Sequence, residues 1–232
     1  MPFLVGVSDL VVFGGGLAIW FYALEGRSLL WLSSLCTMEG VLLPAWWATA
    51  AAISTTHVLY AFIWYNPKVF TDICARVPLR LLGDHPVEVF HHLVVLLKGL
   101  QQLAAVALFA DCSMTKLVSM LLATTWVEWC IVAALMIVGQ SLNAAIYNAI
   151  GKDGVYFGFK LGRPVPWSTA FPFNAGFRHP QYVGATLSQL AVLLPLATPE
   201  AIQAGFAPLS VFWVCMYVAT SYMEASGDND DS

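Results

Sequence analysis

From Pro44 to Tyr65 the chain runs for 22 residues without one charged side chain and with a single histidine, His57. A segment of that length and character suits a bilayer core of about 30 Å, which asks about 20 apolar residues of each helix. Similar stretches recur. Val87 to Ala110 holds ionisable groups only at Glu88, His91, His92 and Lys98. Thr115 to Val138 has Lys116 at its mouth and Glu128 inside, and its helical pattern can continue to about Asn148. Phe206 to Tyr222 is uninterrupted and is followed by Glu224. A shorter segment, Tyr182 to Thr198, starts at Pro180. Proline suits a first helical turn because its missing N–H has no helical partner there. Leu4 to Ala23 is long and apolar in spite of Asp9 and the run Gly14-Gly15-Gly16, and no basic residue precedes it as in a signal peptide. It reads as a retained span, and Arg27 to Leu43 as a connection along the interface.

Charge scarcity closes off the other classes. The 232 residues include 10 Lys+Arg and 14 Asp+Glu, 10% charged against 59% apolar. A soluble domain is about 25% charged, so a disordered chain, a nucleic-acid binder and an ordinary soluble enzyme are all excluded. Six spans use about 120–130 residues, which leaves no room for a separate soluble domain. The expectation is an all-α, polytopic transmembrane helical bundle of five to six spans, residues 1–232 forming a single integral membrane domain. Residues 1–120 are its N-terminal spans. The tail, 225–232, ends in the acidic Asp228-Asn229-Asp230-Asp231. Five cysteines, Cys36, Cys74, Cys112, Cys130 and Cys215, show no metal-ligand or paired spacing and read as buried small hydrophobes. No metal partner is expected.

Basic residues set the sidedness. The Tyr65–Val87 loop carries Lys68, Arg76 and Arg80, and the Asn148–Tyr182 loop carries Lys152, Lys160, Arg163 and Arg178. Only Arg27 and Lys116 fall on the other side. Both long loops and both termini are therefore expected in the cytosol.

Depth counting pairs the few polar groups. If the third and fourth spans turn near Ser113, Lys98 and Glu128 each lie about 22 Å from the turn, at 1.5 Å per residue. A lone charge there costs at least about 2.5–3.5 kcal/mol, so a Lys98–Glu128 ion pair is expected. If the last two helices turn near Ala201 and Ile202, then Arg178, His179 and Glu224 emerge together at the cytosolic face. Gln140, Asn143 and Tyr147 share one helix face at i, i+3, i+7 spacing. The loop from Gly151 to Pro180 adds Tyr156, Phe157, Lys160, Arg163, Trp167, Phe171 and Phe173. A cation, a histidine, a carboxylate and aromatic faces beside headgroups suit a zwitterionic ligand: arginine for a carboxylate, Glu224 for an ammonium, rings for an onium centre. Interfacial anchoring of Trp167 and hydrogen bonding within the helix core for Gln140, Asn143 and Tyr147 are the plainer alternatives.

These residues fall in a recognisable order. Gly139-Gln140-Ser141-Leu142-Asn143, Gly154-Val155-Tyr156-Phe157-Gly158, Pro166-Trp167, Phe171-Pro172-Phe173 and Arg178-His179-Pro180-Gln181-Tyr182-Val183-Gly184 resemble the phospholipid N-methyltransferase family, plant-type members above all. The Arg-His-Pro-x-Tyr element is also similar to isoprenylcysteine carboxyl methyltransferases, which share that membrane fold. The likeness spans Gly139 to Glu224, within a methyltransferase-like region at 125–224. It implies an S-adenosyl-L-methionine-dependent enzyme that methylates the ethanolamine headgroup of phospholipids towards phosphatidylcholine, in the endoplasmic reticulum or else in a mitochondrial or other organelle membrane. By position, Arg178, His179, Pro180, Tyr182, Gly184, Gln140, Asn143 and Glu224 are implied in the cofactor site. Tyr147, Tyr156, Phe157, Gly158, Trp167 and Phe173 are implied around the substrate. Glu224 and His179 are the two candidate bases. The chain has Met223-Glu224 where animal members have two glutamates, and no Gly-x-Gly near Ala133 to Leu135. Prenylcysteine carboxyl methylation and a non-catalytic membrane subunit are the rival readings.

Overall fold

A computed structural model describes residues 6–227, and their regular structure is helical throughout. The main helices are α1 (Val7–Ala23), α2 (Ser28–Thr37), α3 (Pro44–Tyr65), α4 (Pro67–Cys74), α5 (Pro86–Phe109), α6 (Met114–Ala123), α7 (Trp126–Val155) and α8 (Pro180–Leu193). A single turn, α9 (Pro199–Ala201), and the wide turn Ile202–Phe206 lead into α10 (Ala207–Gly227). The acidic stretch Asp228–Asp231 lies outside the described residues, as do the first two residues of the Leu4–Ala23 segment.

Among the described residues, three helices are long and apolar enough to cross a membrane: α5, α7 and the run Pro199–Ser226 that takes in α10. The α1–α2 pair qualifies as one further span if counted together, although it is bent by 102°. By length and composition, three or four of the five to six expected spans are met. At 1.5 Å per residue, α8 with its 14 residues reaches about 21 Å, short of a bilayer core of about 30 Å. Pro195 ends its regular helix. The 22-residue α3 is long enough, but Ser54, Thr55, Thr56 and His57 dilute its apolar run.

The expected Thr115–Val138 helix is two helices. Thr124 and Thr125 are extended (ψ 123° and 161°) and part α6 from α7. Thr125 and Glu128 form a capping box: the hydroxyl of Thr125 accepts the Glu128 N–H, and Glu128 accepts the Thr125 N–H at 2.7 Å. The sequence Thr125-Trp126-Val127-Glu128 is the signature of such a box, and it cancels the Lys98–Glu128 pair. The residues assigned to one descending helix are spent on α6, so Glu128 sits in the first turn of α7, not at mid-membrane depth. Its ion-pair partner is Arg27, which also donates to the carbonyls of Ala197 (2.8 Å) and Leu24 (3.2 Å). Lys98 instead lines a small cavity with His57, Tyr182 and Tyr217.

Two packed clusters hold the bundle. One centres on Trp20, Leu187, Leu190, Phe206 and Trp213, joining α1, α8 and α10. The other joins α3, α4, α5 and the chain after α7 through Ile63, Phe70, Phe90, Tyr156 and Phe157. Lipid tails are as apolar as leucine, so helices associate in a bilayer through close packing more than through water exclusion. The α7–α8 contact shows this. A Cβ on Gly139 would lie 2.6 Å from the carbonyl oxygen of Gly184, and a Cβ on Gly184 2.6 Å from that of Gly139. Of the cysteines only Cys74 is buried; Cys36, Cys112, Cys130 and Cys215 are exposed on the protein's own surface, so the buried reading fails for four of the five.

Candidate active site

The element Arg178-His179-Pro180 lies at the mouth of α8, with Pro180 as its first helical residue and His179 as N-cap. Its placement depends on Asp9, near the start of α1 and only 2% exposed. The Asp9 carboxylate accepts the N–H of Gly6 at 2.9 Å, of Arg178 at 2.8 Å and of His179 at 3.2 Å. A buried carboxylate persists only when its lone pairs are satisfied, and here backbone groups from two distant segments satisfy them. The hydroxyl of Ser8 adds a bond to the Ala175 carbonyl. Asp9 looked like an obstacle to a membrane span; its role escaped the sequence reading, although an acid inside an apolar segment is itself a pointer to function.

Two residues further on, the Tyr182 hydroxyl donates to Oε1 of Glu224 on α10. The two helices run antiparallel, so positions 42 apart in sequence meet at one level. Around this pair opens a cleft of about 190 Å³, lined by Arg178, His179, Pro180, Tyr182 and Glu224 on one side. Aromatic side chains, Trp64, Phe157, Phe159, Trp167 and Phe173, form much of the rest. Trp64 and Phe159 were not foreseen. The ring of Trp64 packs edge-on against Phe157 at 5.1 Å, and the ammonium of Lys160 lies 4.2 Å from its centroid. The ring of Trp167 meets Phe159 at 5.6 Å.

The loop between α7 and α8 is tied down by Arg163, which bonds Asp153 on α7 and Glu88 on α5, both at 3.1 Å. Burial works against the guanidinium charge, but the bonds to Asp153 and Glu88 outweigh it and raise the Arg163 pKa.

Other expected site residues lie elsewhere. Gly184 is at the α7–α8 crossing, with Asn143 Oδ1 close to where its Cβ would be. The Gln140 amide donates to the Ser188 hydroxyl at 2.8 Å across the same contact. The Tyr147 hydroxyl donates to that of Tyr156 at 2.8 Å, and the Tyr156 ring packs on Phe90 and His91. Gly158 turns the chain beneath the cleft, its N–H bonded to the Asp153 carbonyl at 2.6 Å. None of these six lines the cleft. They brace the helices that carry it, because the i, i+3, i+7 face of α7 is turned towards α8 and the following loop.

Fold and cleft together define a class: an all-helical membrane protein whose last three long helices converge on a cleft that combines cation, carboxylate and aromatic walls. Residues 127–226, which include α7, α8 and α10 almost entirely, match the family model described as Phospholipid methyltransferase. A phosphatidyl-N-methylethanolamine N-methyltransferase of Arabidopsis thaliana is 29% identical over 171 residues, 73% of this chain and 85% of that protein. Both comparisons find this chain similar to phospholipid methyltransferases. No solved structure gives a significant match.

Proposed function

We propose that this protein is a phospholipid N-methyltransferase that moves a methyl group from S-adenosyl-L-methionine to the amine of an ethanolamine-type phospholipid, towards phosphatidylcholine, at the cytosolic face of the endoplasmic reticulum. One observation carries this reading: the Tyr182–Glu224 bond in the wall of a cleft that also holds Arg178, His179 and the aromatic side chains, inside the region matched to the family. The name of the Arabidopsis relative supports the choice of acceptor. The cytosolic side is supported by the basic loops, which the Arg163 bonds gather at the cleft end of the bundle.

The cleft's donor set fits such a methyl donor: a guanidinium for its carboxylate, aromatic faces for its flat base and its sulfonium. When bound, S-adenosyl-L-methionine supplies an electrophilic methyl, which the lipid nitrogen takes as the N–C bond forms and the C–S bond breaks. Arg178 binds and orients, its own position fixed by Asp9 through the backbone. Glu224 accepts the proton that the lipid ammonium must lose to expose its lone pair. The Tyr182 hydroxyl, donating to Glu224, holds that carboxylate in place in the cleft wall. The aromatic walls exclude water, and the cleft brings a soluble and a membrane-bound reactant together, an advantage of orientation more than of affinity.

The test incubates the purified full chain with methyl-labelled S-adenosyl-L-methionine and vesicles containing phosphatidylethanolamine and its mono- and dimethyl forms, then separates the lipids. Label in the headgroup is expected. No label with any ethanolamine lipid overturns the reading, and label on a prenylcysteine carboxylate offered in a parallel incubation moves the protein to the other branch.

A further inference from the structure

A second concavity, of about 210 Å³, opens behind the cleft between α1, α8 and α10. Leu10 and Phe13 of α1, Val183 of α8, and Tyr217 and Val218 of α10 line it. His179 and Tyr182 line both this groove and the cleft, so the two spaces share a wall. From His179 the groove reaches Thr186, about 10.5 Å further along α8 at 1.5 Å per residue. It therefore runs along the helices, from the end that carries the polar cleft towards the bundle interior.

Its chemistry is apolar by construction. Thr186 turns its hydroxyl onto the Tyr182 carbonyl at 2.8 Å, and Ser221 turns its own onto the Val218 carbonyl at 2.9 Å. The Asp9 carboxylate is taken up by backbone N–H groups. The groove's rim is open to the protein's surroundings, Leu10 being 60% and Val218 55% exposed. In an integral membrane protein those surroundings are hydrocarbon.

We propose that this groove holds an acyl chain of the acceptor phospholipid and is the lateral path by which that lipid reaches the cleft. The inference rests on the methyltransferase reading and adds to it a site, a direction of approach and a role for α1. The occupant follows from the adjacency of the two spaces: a lipid whose polar end reaches His179 and Tyr182 has its apolar tail beside the groove along α8. Moving a tail from lipid into an apolar groove gains little free energy, because both surroundings are equally apolar. The groove therefore acts by orientation, setting where the amine comes to rest. Its loss is expected in kcat/KM for the lipid and not in the affinity for the methyl donor.

The experiment fills the groove with Leu10→Trp and, separately, Val218→Trp, and uses Ile137→Trp on the outward face of α7 as control. Ile137 is 66% exposed and outside the cleft and the groove. Methylation of dioleoyl and dihexanoyl forms of the same N-methylethanolamine phospholipid is compared in detergent micelles. The dioleoyl-to-dihexanoyl ratio of kcat/KM is expected to fall about tenfold or more in both groove variants and to stay unchanged in Ile137→Trp. An unchanged ratio in the groove variants overturns the proposal. A photocrosslinking arm stands apart from activity: p-benzoylphenylalanine placed at position 10 in native membranes is expected to yield a phospholipid adduct that Val218→Trp suppresses, whereas the adduct at position 137, which faces bulk lipid, is expected to be unaffected by Val218→Trp. An adduct at position 10 that persists undiminished in Val218→Trp overturns the groove. If no lipid is methylated by the parent protein, the methyltransferase reading fails, and the crosslinking arm still decides whether the groove holds lipid.

Discussion

The carboxylate of Asp9 accepts the backbone N–H groups of Arg178 and His179, 169 and 170 residues away in the chain. The start of α1 is thereby fastened to the two residues that open α8 and face the cleft. An acidic side chain at a helix N-terminus also meets the positive end of the peptide dipoles.

Removing that carboxylate tests the link. Asp9→Ala leaves N–H groups without a partner in a buried place, at a cost of about 1–3 kcal/mol for an unsatisfied buried group. Thermal unfolding in detergent should fall accordingly, and the affinity for S-adenosyl-L-methionine should weaken because Arg178 loses its register. Asp9→Asn, which keeps one acceptor oxygen, should retain more of both. Equal behaviour of the two variants counts against the carboxylate's role.

Tyr182 and Glu224 should behave as a unit. Tyr182→Phe keeps the ring and removes the donor, and a hydrogen bond to a charged group is worth about 1.5–3 kcal/mol. A fall in kcat of about tenfold or more is expected in the folded fraction, together with a lower thermal midpoint. Glu224→Gln should cost more. In a double-mutant cycle the effects should fall short of additive, since the hydroxyl acts through the carboxylate; additive losses would separate the two residues.

The Arg27–Glu128 pair predicts a contrast. Glu128 is 7% exposed and closes a capping box, so breaking the pair leaves a partly buried charge. Arg27→Met and Glu128→Gln should each destabilise by about 1–3 kcal/mol, between the surface and buried limits for ion pairs. A cycle between them should show coupling. A cycle between Lys98→Met and Glu128→Gln should show none, measured by unfolding in the same detergent.

At the α7–α8 crossing, Gly184→Ala drives a methyl to within 2.6 Å of the Gly139 carbonyl oxygen. The helices must part, and overpacking of this kind costs about 1–3 kcal/mol. Lower thermal stability is expected, with methyl-donor affinity of the folded fraction unchanged, because Gly184 lies outside the cleft. Lost affinity in a fully folded sample would return this glycine to the binding site.

Arg163→Ala should release the loop between α7 and α8. With the bonds to Asp153 and Glu88 gone, limited proteolysis between Phe157 and Phe173 should speed up while the helices stay protected. An unchanged cleavage pattern would show that the aromatic contacts of Phe157 and Trp64 hold the loop without it.

Much was readable from the chain alone, and the reason is that some information is local. Scarce charge and long apolar runs determined a helical membrane protein. The short element Arg178–Tyr182 and the lone Glu224 stand where helix counting puts them together, because α8 and α10 flank one turn. Trp167, Phe173 and Phe157 are close to that element in sequence and face the same cleft.

Tertiary structure decided whatever depends on where helices break and which faces meet. Two extended residues, Thr124 and Thr125, shift every position after them, and so replace Lys98 by Arg27 as the partner of Glu128. Gly184, Gln140 and Asn143 lie in stretches that resemble a family's motifs, yet at the α7–α8 crossing they make packing contacts. Asp9 is the sharpest case. By composition it is a misplaced charge in an apolar helix, and only the approach of α1 to the mouth of α8 supplies the backbone donors that make it a clasp. Hydropathy is a property of single segments and survives in the sequence; hydrogen-bond partnership is a property of pairs, set by helix crossings that no single segment encodes.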